Sequence, residues 1–231
     1  NKAAIRIFTP AHEMQFAGHP IIGTSWILMN KVFKNSPASI ILNVPIGEIP
    51  VKQTQDLVWL KAAQPQFLDV YNKEDFASFS NLTATDFDGR FEIQEVTTGS
   101  AFIIVPVKDT VILNAIELNK DQTAKWLKAK CKTKHRALYF FSLENEVLTS
   151  RMLCIENNQL IEDAATGSAS TCLQAFLLKY QDSTIKIVNN QGDFINRSSQ
   201  IYFEGSRKED LYNINIGGET QFVAKGEWEV V

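Results

Sequence analysis

The stretch FAGHPIIGTSWILMNKVF, residues Phe16–Phe33, decides how this chain is read. It opens with small, turn-forming residues and then runs apolar for several helical turns. Glycine and proline usually punctuate turns, so Ala17-Gly18-His19-Pro20 predicts a turn at the mouth of a mostly buried helix that closes near Lys34. A second stretch has the same design. Ala164-Ala165-Thr166-Gly167-Ser168 leads into ASTCLQAFLLKY, whose apolar residues recur at helical spacing as far as Tyr180.

Each helix is set among strands. Ala4–Phe8 alternates as a strand should and stops at Thr9-Pro10. The runs ASIILNV (38–44), GEIPVKQ (47–53) and LVWLKAA (57–63) predict a β-meander after the first helix. Residues 136–142 and 147–154 read as strands ahead of the second helix, and TIKIVN, SQIYF, LYNINIG and TQFVAKGEWEV read as extended runs after it. Between the halves we expect a helix over Tyr71–Leu82 and strand over Phe91–Val107, broken at Thr98-Gly99. A helix over Lys120–Lys130 follows, capped by Asn119. The echo of one half in the other predicts an α+β protein of two similar lobes, residues 1–106 and 107–231, with the option that the last strand returns to the first lobe. A strand this close to Asn1 also leads us to expect further residues ahead of it.

The bulk numbers narrow the function classes. At 231 residues and 45% hydrophobic composition the chain can bury a sizeable core. Its net charge of −3 lacks the basic footprint that nucleic acid requires. No apolar run is long enough to span a bilayer as a helix. Cys131, Cys154 and Cys172 are scattered and odd in number, which fits free thiols in a reducing cytoplasm better than a disulfide frame or a zinc site. His12-Glu13 lacks the second histidine of a zinc-protease motif, so no metal is expected.

The chemistry is expected at the two helix mouths. The first turn of a helix leaves N–H groups without partners at its positive end, and small residues let an anion come close to them. Two such mouths facing each other would grip a small carboxylate between lobes. His19 stands at the first mouth. Glu162 and Asp163 precede the second, and Thr166 and Ser168 lie inside it. Taken singly, His19 reads as a structural histidine and Asp163 as a helix cap. Together at one cleft they could hold or move a proton. The lysine-rich run Lys128–Arg136 reads as a solvated helix face and loop, and Cys172 as a buried thiol.

At these residues the sequence resembles a known family. RIFTPAHEMQFAGHPIIGTS (Arg6–Ser25) resembles the signature of the PhzF-like phenazine-biosynthesis family, and IEDAATGSAS (Ile161–Ser170) resembles its EDPATGSAA segment. Weaker echoes follow in the family's order: TTGSAFIIVPV (97–107), NNQGDFINRSS (189–199) and INIGGETQFVAKGE (214–227). The resemblance implies a diaminopimelate-epimerase-like fold, in which each of two pseudo-symmetric lobes is a curved sheet around a central helix. It also implies a cofactor-independent isomerase that is usually homodimeric and moves a proton within a small cyclic or unsaturated carboxylate. Carried over one at a time, His19 and Asp163 are the catalytic candidates, and Gly18, Gly167 and Ser168 the substrate-binding ones.

Two departures stand out. The family's proline after the aspartate is Ala164 here. The family's acid/base glutamate lies in a segment like NxSET upstream of RIFTP, and these 231 residues contain no such segment. Glu13 belongs to the first motif and does not replace it. A non-catalytic carboxylate binder, or an inactive fragment, is therefore the alternative expectation, and an interaction protein a weaker third. The related two-cysteine racemases place a thiol at each mouth, where Ala17 and Ala164 stand here. An alanine cannot take a proton.

Overall fold

The computed structural model describes residues 1–8, 13–131, 137–181, 183–227 and 229. The first half starts with β1 (Lys2–Ala4) and the small hairpin β2 (Ile7–Phe8) and β3 (Glu13–Met14). Helix α1 (Gly18–Ile27) follows and runs on through one π-helical turn, Leu28–Val32. The chain then returns as β4 (Ser39–Val44), parallel to β1, and continues antiparallel as β5 (Gly47–Thr54) and β6 (Leu57–Lys61). The middle of the chain holds β7 (Gln66–Tyr71), α2 (Lys73–Phe76), β8 (Ile93–Thr97) and β9 (Ala101–Pro106). After these come α3 (Thr110–Ala115), α4 (Lys120–Lys130) and β10 (Ala137–Glu144).

The second half repeats the plan of the first. Strand β11 (Val147–Glu156) pairs with β12 (Gln159–Asp163) in a hairpin, helix α5 (Gly167–Tyr180) follows, and β13 (Thr184–Gln191) lies parallel to β11. The antiparallel strands β14 (Ser199–Lys208) and β15 (Leu211–Glu219) complete it. A parallel return needs a crossover, and the helix supplies it in both halves. Tight hairpins use residues that accept positive φ. Asn145-Glu146 joins β10 to β11, and Asn157-Asn158 joins β11 to β12.

The two meanders meet at their last strands. β6 and β15 run antiparallel from Leu57↔Glu219 to Lys61↔Asn215, which joins both halves into one 13-stranded sheet. The same sheet continues from β11 through β10, β9 and β8 to β7. This is the mixed α+β architecture expected, with one helix at the centre of each half. Among the described residues no helix is long and apolar enough to cross a membrane.

The central helices are buried to different degrees. α5 packs on β8, β9, β13, β14 and β15, and every residue from Ala169 to Leu178 is buried. Each fully buried leucine or phenylalanine there contributes about 1.5–3 kcal/mol. α1 packs chiefly on β4–β6 and touches α5, and its buried residues form the stripe Gly18, Ile21 and Ser25, continued by Met29. Ile27 and Val32 remain exposed, so α1 is less enclosed than its apolar composition predicts. A second core gathers Phe76, Phe79, Trp126 and Phe140 beneath α4.

Several segments differ from the sequence reading. Tyr71–Leu82 is not one helix. Tyr71 ends β7, and only Lys73–Phe76 is helical. Phe76, Phe79 and Leu82 have helical spacing, but the Asn81 side chain donates to Ala115 O and accepts from Glu117 N, which pulls the backbone off the helical path. Thr220–Glu227 carries no strand ladder. β12 and α3 were not anticipated. The expected stop at Thr9-Pro10, His12, the strand start at Arg136 and the loop part of the lysine-rich run lie outside the described residues.

Candidate functional site

The two halves bring the helix mouths into contact. A Cβ added at Gly18 would stand 3.0 Å from the Gly167 Cα, and one added at Gly167 would stand 3.2 Å from the Gly18 Cα. Only glycine lets two backbones approach this closely. Both mouths also lack a side-chain cap. Ala17 precedes α1 and Thr166 precedes α5, and neither side chain satisfies a first-turn N–H. The helices α3 and α4 away from this point are capped, by Asp109 (2.7 Å to Ile112 N) and Asn119 (3.1 Å to Gln122 N). The uncapped ends leave N–H donors for a ligand.

A cleft of about 730 Å³ opens on this contact. Gly18, His19 and Gly167 line it, the backbone of Ile216–Gly218 borders it, and Tyr202, Asp193 and Glu219 stand on its walls. Among the described residues no lysine or arginine lines it. A carboxylate there would be met by backbone amides and the positive ends of two helices rather than by a side-chain cation. His19 is exposed, so its imidazole can reach a ligand.

Asp163 and Ser168 are placed differently. Neither is among the residues that line the cleft. Asp163 ends β12 and sits half-buried behind the mouth of α5, where its Oδ2 accepts from Thr166 Oγ1 at 2.8 Å. Among the described residues no hydrogen bond reaches its Oδ1. Ser168 is half-buried in the first turn of α5, and its carbonyl accepts from Thr171 Oγ1 at 2.7 Å. Of the five candidates, the structure brings Gly18, His19 and Gly167 together in one cleft and keeps Asp163 and Ser168 just behind it.

Sequence reasoning missed the polar layer beneath this mouth. Tyr139 lies fully buried on β10, and its hydroxyl contacts Ser150 Oγ (3.0 Å), Ser170 Oγ (3.0 Å), Asn189 Nδ2 (2.9 Å) and Gln191 Oε1 (2.9 Å). Burial pushes this phenol up to about 12, so it stays a neutral hydrogen-bonding group. Gln191 links the layer to Asp163 and Thr166. The signal was the segment NNQGD, whose two buried amides, Asn189 and Gln191, alternate on one face of β13.

No thiol stands at either mouth. Cys172 lies in the second turn of α5, fully buried, with Sγ donating to Ser100 O at 3.4 Å, and burial pushes it up to about 12. Cys154 is pushed up to about 11, first by burial and then by nearby carboxylates. Neither is poised as a thiolate base.

Comparison with known proteins places the chain in a family and agrees with this fold. The family model described as phenazine biosynthesis-like protein matches residues 1–226. The chain is 30% identical over 235 residues to the trans-2,3-dihydro-3-hydroxyanthranilate isomerase of Pseudomonas aeruginosa, covering 97% of this chain and 78% of that protein. It is 27% identical over 224 residues to an uncharacterized isomerase of Pasteurella multocida, covering 96% of this chain and 73% of the relative. The crystal structure of a phenazine biosynthesis protein from Bacillus anthracis superposes with a TM-score of 0.79 at 23% identity, covering 94% of this chain and 77% of that one, which is a likeness of fold.

Proposed function

This chain belongs to the phenazine biosynthesis-like family, whose named relatives are isomerases, and on that premise we propose that it moves a proton within a small cyclic or unsaturated carboxylate by general acid/base catalysis. The observation that carries the proposal is the contact of Gly18 with Gly167, which aims two uncapped helix ends into one cleft beside His19.

In this reading the substrate carboxylate rests on the amides that follow Ala17 and Thr166. The helix dipoles favour the anion there. Carboxylate binding at this point orients the neighbouring carbon framework toward the imidazole of His19. That ring in its neutral form accepts a proton at one nitrogen while it donates from the other, as proton relay requires. Asp163 stands behind the mouth of α5 with one oxygen committed to Thr166, and in this reading its other oxygen reaches a polar group of the substrate across that mouth. The name of the Pseudomonas relative, an isomerase of a cyclic hydroxy-anthranilate, supports a cyclic carboxylate as the substrate class.

The test is solvent exchange. The protein is incubated in D2O with cyclohexenecarboxylate and cyclohexadienecarboxylate, and deuterium entering the ring is followed by NMR. Exchange is expected with the wild type. His19→Ala and Asp163→Ala are expected to lose about 10²- to 10⁴-fold in rate while their circular dichroism stays unchanged. Tight binding without any exchange, or normal exchange in both variants, would overturn the proposal.

A further inference from the structure

We propose that Gln191 is a positioning residue that sets the direction of the Thr166 hydroxyl and thereby fixes the Asp163 carboxylate behind the mouth of α5; the inference rests on the functional reading above only for its kinetic consequence. The whole hydrogen-bonding capacity of this buried carboxamide is used. Its Nε2 donates to Asp163 O at 2.8 Å and to Thr166 Oγ1 at 3.0 Å. Its Oε1 accepts from the Tyr139 hydroxyl at 2.9 Å and from Thr166 N at 3.1 Å.

The partners determine which way the amide points. Turned over, its NH₂ would face the Thr166 N–H, and its oxygen would face the Asp163 carbonyl. Donor would meet donor and acceptor would meet acceptor, so only one orientation is consistent. With Nε2 donating to Thr166 Oγ1, the Thr166 hydrogen is free to point elsewhere, and it donates to Asp163 Oδ2 at 2.8 Å. Proton order therefore runs one way, from Gln191 through Thr166 to Asp163. Oδ2 is held as an acceptor, and Oδ1 keeps no hydrogen-bond partner among the described residues.

The backbone around Gln191 serves the same arrangement. Gly192 adopts φ +85°, and a Cβ there would collide with Arg197 O and would meet Ala164 O at 2.7 Å. The glycine lets the end of β13 press directly against the segment between Asp163 and Thr166. The clamp thus consists of a carboxamide and a bare backbone, both bearing on the same short loop.

The experiment compares Gln191→Glu, Gln191→Leu, Thr166→Val and Thr166→Ser with the wild type, together with the double variant Thr166→Val/Gln191→Glu. Three-bond NMR couplings report the χ1 angles of Asp163 and, where it is retained, residue 166. Calorimetry with cyclohexenecarboxylate reports affinity, and deuterium exchange reports turnover. Gln191→Glu keeps the shape of the side chain but puts an acceptor against Asp163 O and Thr166 Oγ1. It is expected to release the Asp163 χ1 from a single rotamer and to slow exchange at least tenfold, with affinity changed less than threefold. Thr166→Val should reproduce that loss, Thr166→Ser should restore wild-type behaviour, and the double variant should be no slower than the worse single variant.

An unaltered Asp163 rotamer in both Gln191→Leu and Gln191→Glu would overturn the proposal. So would additive losses in the double variant. Should the Gln191 variants fail to fold, a single Asp163 rotamer retained in Thr166→Val would overturn it equally. Absence of exchange in the wild type removes the functional reading above and leaves the rotamer test standing.

Discussion

Replacing Gly18 by alanine tests the central contact of the molecule. The new Cβ would stand 3.0 Å from the Gly167 Cα, whereas ordinary contact begins at 3.4 Å, so the two helix ends must separate by about 0.4 Å. Overpacking of this kind costs about 1–3 kcal/mol. Replacing a helical glycine returns up to about 1 kcal/mol through backbone entropy. The net expectation is a loss of about 0–3 kcal/mol in urea unfolding. Gly23→Ala is the control, because a Cβ at Gly23 meets nothing within 4 Å and the same helix should gain about 0.5–1 kcal/mol. Gly167→Ala strains the same contact and adds a 3.2 Å approach to Ile216 Cδ1, so the double variant should lose less than the sum of the two. Carboxylate affinity by calorimetry should fall with Gly18→Ala, since the donors of the two mouths no longer converge. If Gly18→Ala stabilises as much as Gly23→Ala and leaves affinity untouched, the mouths do not meet as described.

Three other outcomes follow from the packing. Arg151 and Glu162 form a two-point ion pair (3.0 and 2.7 Å) with side-chain exposures of only 10% and 9%, and Arg151 also donates to the carbonyls of Leu113, Asn114 and Ile116. Glu162→Gln or Arg151→Met should cost about 3–5 kcal/mol in chemical denaturation, and Arg151→Met/Glu162→Leu less than the sum of its singles. Burial pushes the Tyr139 phenol up to about 12 in the folded protein against about 10 when unfolded, so above pH 10 the unfolded chain gives up this proton first. Stability should be fully present below pH 10 and decline from pH 10 to 12, and Tyr139→Phe should make that decline shallower in pH-dependent unfolding. A thiol reagent at pH 8 should leave Cys172 unmodified in the native protein and label it once denaturant is added, as mass spectrometry of the peptides would show.

The parts of the structure legible in the sequence are those set by local chemistry. The periodicity of Thr171–Tyr180 and the Asn119 cap mark α5 and α4 directly, and the repeated small-residue mouths mark where the halves correspond. Pairing across long separations was not legible. Nothing in LVWLK or NINIGGE announces that Leu57–Lys61 and Asn215–Glu219 share a ladder, because register there depends on two meanders docking. The Tyr71–Leu82 reading failed because phenylalanines three apart satisfy a helical count even where side-chain hydrogen bonds close the turn early. Gln191 was quoted in a motif but given no role. Its four bonds go to residues 25 to 52 positions away, and two of them involve main-chain atoms that carry no sequence signature.

The seam between β6 and β15 also reaches the cleft. Ile216, Gly217 and Gly218 border the ligand space and are at the same time rungs of that seam, paired with Leu60, Trp59 and Val58. Trp59 lies flat on Gly217, where a Cβ would come within 2.8 Å of the indole. The floor of the cleft is therefore part of the ladder that joins the two halves. A residue larger than glycine at 217 would meet the Trp59 indole and force that ladder apart at its midpoint.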